Sequence, residues 1–173
     1  MLTRTARLWV IAFGLILLVW TIFSEVYEIS AVIVIGISLL VYGYFREGTV
    51  VIAARKFHEK NYLEAEELLL EIADPNRLGR HRRGLYEFVF GNIELQRHNY
   101  ADAERHFQIA SKFPLRNQND KAIVMVHLAN LSLRKKDMER AKVYVQKAKT
   151  FRITARVKGI IENLEQEFNL QQV

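Results

Sequence analysis

The amino-acid sequence predicts an all-α protein in two parts, a two-helix transmembrane hairpin followed by an array of three helical hairpins with a C-terminal capping helix. Two observations predict this fold class. The N-terminal region contains two charge-free apolar stretches, and the remainder contains a short pattern around an alanine that returns twice at a spacing of 38 residues. Only two prolines and eight glycines occur among 173 residues, which argues against disorder and against a long flexible linker.

Residues 1–46 are predicted to form the transmembrane hairpin. Residues 8–24 and 29–45 carry no charge, and each is about as long as the shortest segment that crosses a hydrocarbon core. Both stretches are apolar on every face, whereas a helix in a soluble domain is usually apolar along one stripe. A cleavable signal peptide is disfavoured because no small-residue cleavage site follows the first stretch.

The flanking charges predict the orientation of this hairpin. Arg4 and Arg7 precede the first stretch and Arg46 follows the second, while the connecting residues 25–28 contain two glutamates and no lysine or arginine. Positive charge is enriched on the cytoplasmic side of membrane proteins. The sequence therefore predicts a protein integral to a membrane, of the bacterial inner or plasma type, with both termini and the helical array in the cytoplasm.

Residues 47–173 are predicted to form the helical array. Ala65, Ala103 and Ala141 are spaced by 38 residues, and a bulky residue precedes each of them by three positions. Equal spacing of this kind indicates one two-helix unit copied along the chain, in which each pair buries its apolar face against the next. The predicted units are 47–75, 84–114 and 120–150, with helices over 47–59, 62–73, 84–97, 100–112, 120–135 and 138–150 and a cap over 154–170.

The middle unit contains an ordered set of small and aromatic residues. They are Phe90, Gly91, Asn92, Tyr100, Ala103, Phe107, Ala110 and Pro114. In this order and spacing, residues 47–150 resemble the tetratricopeptide repeat (TPR) family, whose small residues let the two helices of a unit approach closely. Two features depart from the family: the period exceeds the usual value of about 34 residues, and Glu87 and Met125 stand where an aromatic residue is usual.

The resemblance implies a protein-binding groove, because the first helices of successive TPR units line a concave surface. The mapped positions are mainly apolar, which suits an amphipathic helix or a membrane subunit as the partner. Two asparagines one unit apart either hydrogen-bond the backbone of a ligand or complete local helix contacts. No lysine or arginine occupies the mapped positions, so the carboxylate clamp of chaperone-binding TPR proteins is not expected. The mapped residues are Val50, Ala54, Phe57, Phe88, Asn92, Leu95, Val126, Asn130 and Leu133.

Basic residues give the chain a net charge of +6, and two segments hold much of it. The connection between the first two units contains Arg77, Arg80, Arg82 and Arg83. It is predicted to contact anionic lipid headgroups, with a solvated loop or a covering partner subunit as alternatives. The second segment, residues 134–158, is either a solvated face or a surface for an acidic protein, anionic lipid or nucleic acid. Nucleic acid is disfavoured because interleaved surface aromatics and a recognised fold are lacking.

No catalytic, cofactor or metal site is expected. The chain has no cysteine, no phosphate-binding glycine loop and no nucleophile motif, and its five histidines lack metal-ligand spacing. The sequence therefore predicts a non-enzymatic, membrane-anchored scaffold, adaptor or assembly factor that holds a protein partner. The alternatives are a permanent accessory subunit of a larger membrane protein complex and a basic surface that binds anionic lipid or RNA.

Overall fold

A computed structural model describes residues 4–24, 27–47 and 49–170. These residues form nine α-helices and one short 3-10 turn, Pro75–Arg77, and contain no strand. The prediction of an all-α protein is therefore confirmed for the described ranges. The helices are α1 (Arg4–Phe23), α2 (Tyr27–Glu47), α3 (Val50–His58), α4 (Tyr62–Leu70), α5 (Arg80–Gln96), α6 (Tyr100–Ala110), α7 (Gln118–Arg134), α8 (Met138–Lys149) and α9 (Ala155–Leu170).

Helices α1 and α2 pack against each other as an N-terminal hairpin. Their backbones approach closely at Gly14, where an added Cβ would lie 3.2 Å from the Ile37 side chain. Residues 25 and 26 of the predicted connection lie outside the described residues. Both helices expose large apolar side chains, which include Trp9, Phe13, Ile16, Trp20 and Phe23 on α1 and Val32, Ile35 and Leu39 on α2.

The structure corrects the prediction that residues 8–24 and 29–45 span a membrane. None of the helices in the described part of the chain combines the length and the hydropathy needed to cross a bilayer. The prediction rested on the absence of charge over a stretch at the lower limit of a spanning length, and a segment that short has no margin in length or hydropathy. The predicted integral membrane localisation, with both termini and the helical array in the cytoplasm, is therefore wrong.

The remaining helices form three hairpins, α3–α4, α5–α6 and α7–α8, with the two helices of each packed together. The turns have one shared backbone conformation, because Lys60, His98 and Lys136 all have left-handed φ angles of 63°, 63° and 61°. In each turn the following residue donates its N–H to the carbonyl five positions earlier. This Schellman arrangement closes the first helix and directs the chain into the second.

Small residues lie where the two helices of a hairpin meet. Ala65, Ala103 and Ala141 are completely buried on the second helices. On the first helix of the middle hairpin, a Cβ added to Gly91 would lie 2.9 Å from the Phe107 ring. Only glycine therefore fits there without displacement of that ring, whereas the equivalent positions in the other two hairpins hold alanine.

Two apolar clusters form the core. The first lies among α3, α4 and α5, and the second extends from α6 to α9. Phe88 of α5 is partly buried and packs against both clusters, so it joins the first hairpin to the rest. The last helix, α9, contacts α7 and α8 and contributes Val157, Ile161, Leu164 and Phe168 to the second cluster.

Candidate protein-binding groove

The C-terminal ends of the three first helices each carry one large apolar side chain at an equivalent position. These residues are Phe57 on α3, Leu95 on α5 and Leu133 on α7, spaced by 38 residues. All three are partly buried, so each packs on the core and still presents apolar surface to solvent. Phe57 packs on the first cluster, whereas Leu95 and Leu133 pack on the second.

One turn earlier on the same helices lie Ala54, Asn92 and Asn130. Ala54 is buried, and both asparagines are partly buried. The Asn92 amide donates to the Phe88 carbonyl at 2.7 Å, so one of its donors completes a local helix contact. An asparagine amide has a second donor and an acceptor, which suits it to bind the backbone of a ligand as well.

The third set of predicted groove residues lies deeper. Val50 is completely buried and Val126 is 4% exposed, so neither offers appreciable surface to a partner. Phe88 is partly buried, and its ring centroid lies 6.4 Å from that of Phe107 in an edge-on arrangement. The accessible part of the predicted groove is therefore the set Phe57, Asn92, Leu95, Asn130 and Leu133, which we call the strip.

Aromatic residues border the strip where the second helices begin. The rings of Phe57 and Tyr62 have centroids 5.4 Å apart. In the next hairpin, the Arg134 guanidinium lies 3.8 Å from the centroid of the Tyr100 ring, a cation–π geometry that holds a positive charge there. The sequence prediction missed both tyrosines and Arg134 as neighbours of the groove, although the tyrosines follow the repeat spacing.

His127 on α7 lies one position after Val126. Its imidazole stacks on the Phe107 ring, with centroids 4.8 Å apart and an interplanar angle of 15°. Burial lowers the pKa of His127 from 6.5 to about 4, because the cation loses its hydration among apolar neighbours. His127 is therefore neutral at neutral pH and behaves as an aromatic packing residue.

A buried charged cluster occupies the middle hairpin. Glu87 is 2% exposed, and its carboxylate accepts hydrogen bonds from Arg83 Nη2 at 2.7 Å and from His106 Nδ1 at 2.6 Å. The His106 ring stacks on Phe90 with centroids 5.1 Å apart. A carboxylate is tolerated at a position where TPR units have an aromatic residue because Arg83 and His106 satisfy both of its oxygens.

The arginines of the predicted lipid-binding segment do not share one surface. Arg77 forms an ion pair with Asp74 at 3.4 Å, and Arg80 is exposed. Arg82 is partly buried, and Arg83 faces inward to Glu87 with 14% of its side chain exposed. This division arises because α5 begins at Arg80, four residues earlier than predicted, so that three of the arginines occupy a helical turn.

Ion pairs link each hairpin to the next at equivalent positions. Arg97, which follows α5, pairs with Glu66 on α4, and Lys135, which follows α7, pairs with Glu104 on α6. Both pairs are separated by 31 residues in sequence. The same contact therefore sets the spacing of successive hairpins at both junctions.

Within the described ranges, no group of three or more histidine, aspartate or glutamate side chains is placed to hold a metal ion. No family model, no curated protein sequence and no solved structure matches this chain. Function is therefore inferred from the geometry of the chain itself.

Proposed function

We propose that this protein is a non-enzymatic, TPR-like scaffold that binds a protein partner along the strip. The observation that carries the proposal is the row Phe57, Leu95 and Leu133. A large apolar side chain stands at the same position on each hairpin and keeps accessible surface, although burial of such a side chain is favourable by about 1.5–3 kcal/mol. A partner that covers the row would gain this free energy three times along one line.

The recurrence of one hairpin supports the TPR-like assignment. Each hairpin has a small residue at the helix contact, a left-handed residue at the turn and a buried alanine on the second helix. Stacked hairpins of this kind expose one surface of their first helices along the whole array, and the strip lies on first helices only.

An amphipathic helix is the partner that suits the strip best. Its apolar face would contact Phe57, Leu95 and Leu133, and its ends or polar side chains would meet the amides of Asn92 and Asn130. Helices bind grooves through a few anchors spaced along one face, and such anchors carry most of the binding free energy. The scaffold would thereby act as an adaptor or an assembly factor.

Quantitative co-purification tests this proposal. The tagged full chain is purified from the cells that produce it, and its partners are compared with those of a Leu95→Gln/Leu133→Gln variant. Glutamine keeps the side-chain length and removes the apolar surface, so we expect the partner to be lost while the circular dichroism spectrum is retained.

The matched control is Ile160→Gln, which changes an apolar side chain on α9 that is 38% exposed and lies outside the strip. This variant should retain the partner. An unchanged set of partners for the Leu95→Gln/Leu133→Gln variant would contradict the proposal.

The apolar surface of α1 and α2 favours a second candidate function, that of a permanent subunit of a larger protein complex. Trp9 is 77% exposed and Phe23 is 85% exposed, and contiguous surface of this kind is usually covered by another protein or ligand. Native mass spectrometry of the purified protein distinguishes the two functions. A stoichiometric complex that survives removal of the strip residues favours the subunit, and its loss with the strip favours the scaffold.

A further inference from the structure

The charge of the second helices changes sign along the array. Helix α4 carries three glutamates and no lysine or arginine. Helix α6 carries two acidic residues and one arginine, and α8 carries one glutamate and four lysines or arginines. Because the three helices occupy equivalent positions in their hairpins, one end of the array is acidic where the other is basic.

Most charges on these helices have partners within the chain. Glu66 pairs with Arg97, and Glu64 pairs with Lys56 at 3.0 Å. On α8, Arg140 lies 3.6 Å from Glu104 and Lys142 lies 3.5 Å from Glu139, while Lys149 pairs with Glu165. These contacts account for the side chains that point toward neighbouring helices, and they separate them from the side chains on the outer face.

The outer face of α4 and that of α8 expose the same four positions, two repeat lengths apart. On α4 these residues are Leu63, Glu67, Leu70 and Glu71, and on α8 they are Glu139, Val143, Gln146 and Lys147. Leu63, Leu70 and Val143 are 71%, 65% and 64% exposed. Each end of this face therefore combines accessible apolar side chains with charge, and the charges differ in sign at the position shared by Glu71 and Lys147.

We propose that a second copy of this chain docks on the outer face of the second helices, antiparallel to the first, so that α4 of each copy lies against α8 of the other. A closed two-fold dimer uses the same patch on both copies and requires the patch to be self-complementary. A patch that is acidic with exposed leucines at one end and basic with an exposed valine at the other meets this requirement when it is turned end for end.

The middle of the patch permits this arrangement. The two-fold axis would pass near α6, where Ala101 is exposed and its small side chain allows close approach. The guanidinium of Arg105 is held by Asp102 at 3.2 Å, so the positive charges near the axis are balanced within each copy. The face lies on the second helices, whereas the strip lies on the first helices, so the inference does not depend on the proposed partner-binding function.

Charge reversal with mixing tests the dimer in the full chain. One variant, Glu67→Lys/Glu71→Lys, makes α4 basic, and the other, Gln146→Glu/Lys147→Glu, makes α8 acidic. Each variant alone then sets like charges against each other at both contacts, and we expect its self-association to weaken by about tenfold or more. A mixture of the two restores opposite charges at both contacts, so association between the variants should approach that of the unaltered chain.

Two measurements read out the result. Sedimentation equilibrium gives the dissociation constants, and co-purification through two different tags shows which chains associate. The control Glu162→Lys alters the charge of an exposed residue on α9 and should leave association unchanged. Association through the apolar surface of α1 and α2 would be the same in all variants, so equal self-association of both variants and the unaltered chain would overturn the proposal.

Two other outcomes would also overturn the proposal. A mixture that associates no better than either variant alone would remove the argument from charge complementarity. Species that continue to grow with concentration beyond the mass of two chains would show an open head-to-tail contact in place of a closed dimer. A mass of two chains, together with recovery in the mixture, is the result that the proposal requires.

Discussion

The middle and last hairpins share a backbone but fill their interiors with different chemistry. In α5–α6 the carboxylate of Glu87 is buried between Arg83 and His106. In α7–α8 the position equivalent to Glu87 holds Met125, which is 2% exposed, and the position equivalent to His106 holds Tyr144. The shared turn and the buried alanines therefore set the backbone, while the filling is either apolar or polar with every polar group satisfied.

The first hairpin gives a third solution at the same place. Thr49 donates its hydroxyl hydrogen bond to the carbonyl of Leu68, and these two residues are equivalent to Glu87 and His106. A small polar residue can thus replace a charged pair when it finds an acceptor on the second helix. The predictions below are ordered from the largest expected effect to the smallest.

Removal of the Glu87 carboxylate should have the largest effect. The substitution Glu87→Ala leaves the Arg83 guanidinium buried without its counter-charge, and loss of one member of a buried ion pair costs about 3–5 kcal/mol. Urea unfolding monitored by circular dichroism measures this loss. The double variant Glu87→Met/Arg83→Met removes both charges and should recover part of the stability. A double variant no more stable than Glu87→Ala would show that the carboxylate is needed for another reason.

The second prediction concerns pH and the last hairpin. The pKa of His127 is about 4 in the folded protein and 6.5 when unperturbed. Between these values the unfolded chain binds more protons, so stability falls as the pH drops from about 6.5 toward 4, by about 2–3 kcal/mol for this residue. His127→Phe should remove this component of the pH dependence in urea unfolding at a series of pH values. An identical pH profile in the variant would place the proton uptake elsewhere.

The third prediction sharpens the comparison of close helix contacts. Gly91→Ala places a Cβ 2.9 Å from the Phe107 ring, and overpacking of this kind typically costs about 1–3 kcal/mol. The matched control is Gly159→Ala on α9, where an added Cβ meets nothing within 4 Å. Alanine is the better helix former by about 1 kcal/mol, so this control should be more stable than the unaltered chain. Equal effects on thermal unfolding would contradict the assigned contact at Gly91.

The turns carry the smallest predicted effect. Lys136 is exposed and has a φ angle of 61°, a conformation that costs an L-residue about 1–2 kcal/mol. Lys136→Gly should therefore stabilise the protein by about 0.5–1 kcal/mol, after allowance for the greater freedom of glycine in the unfolded chain. Lys136→Ala keeps the Cβ and should give no such gain. A stabilisation of equal size in both variants would assign the effect to loss of the charge.

The sequence predicted the all-α fold because buried small residues recur at one spacing. Ala65, Ala103 and Ala141 mark the helix contacts directly, and proline or a left-handed residue ends each helix nearby. Helix ends were predicted less well. Helix α5 begins at Arg80 because the first turn brings Arg83 within reach of Glu87, and that partnership depends on a tertiary contact with His106, which is 19 residues away.

The candidate site was predicted in part for a similar reason. Repeat spacing located the first helices, but three-dimensional packing decides which side of each helix is covered. Val50 and Val126 lie in the core, whereas Leu95 and Leu133 retain accessible surface, although all four are apolar residues on first helices. The prediction of membrane spans failed because it relied on the absence of charge, a property that does not by itself set the length and hydropathy of a span.

Site-specific photo-crosslinking tests the partner-binding strip most directly. A photoreactive phenylalanine derivative is placed at Leu95 in the full chain, in the cells that produce it, and at Ile160 as the control. The account predicts one discrete crosslinked protein from Leu95, lost when Leu133→Gln is added, and none from Ile160. Illumination that gives no adduct at Leu95, or the same adducts at both positions, would contradict a partner-binding function for the strip.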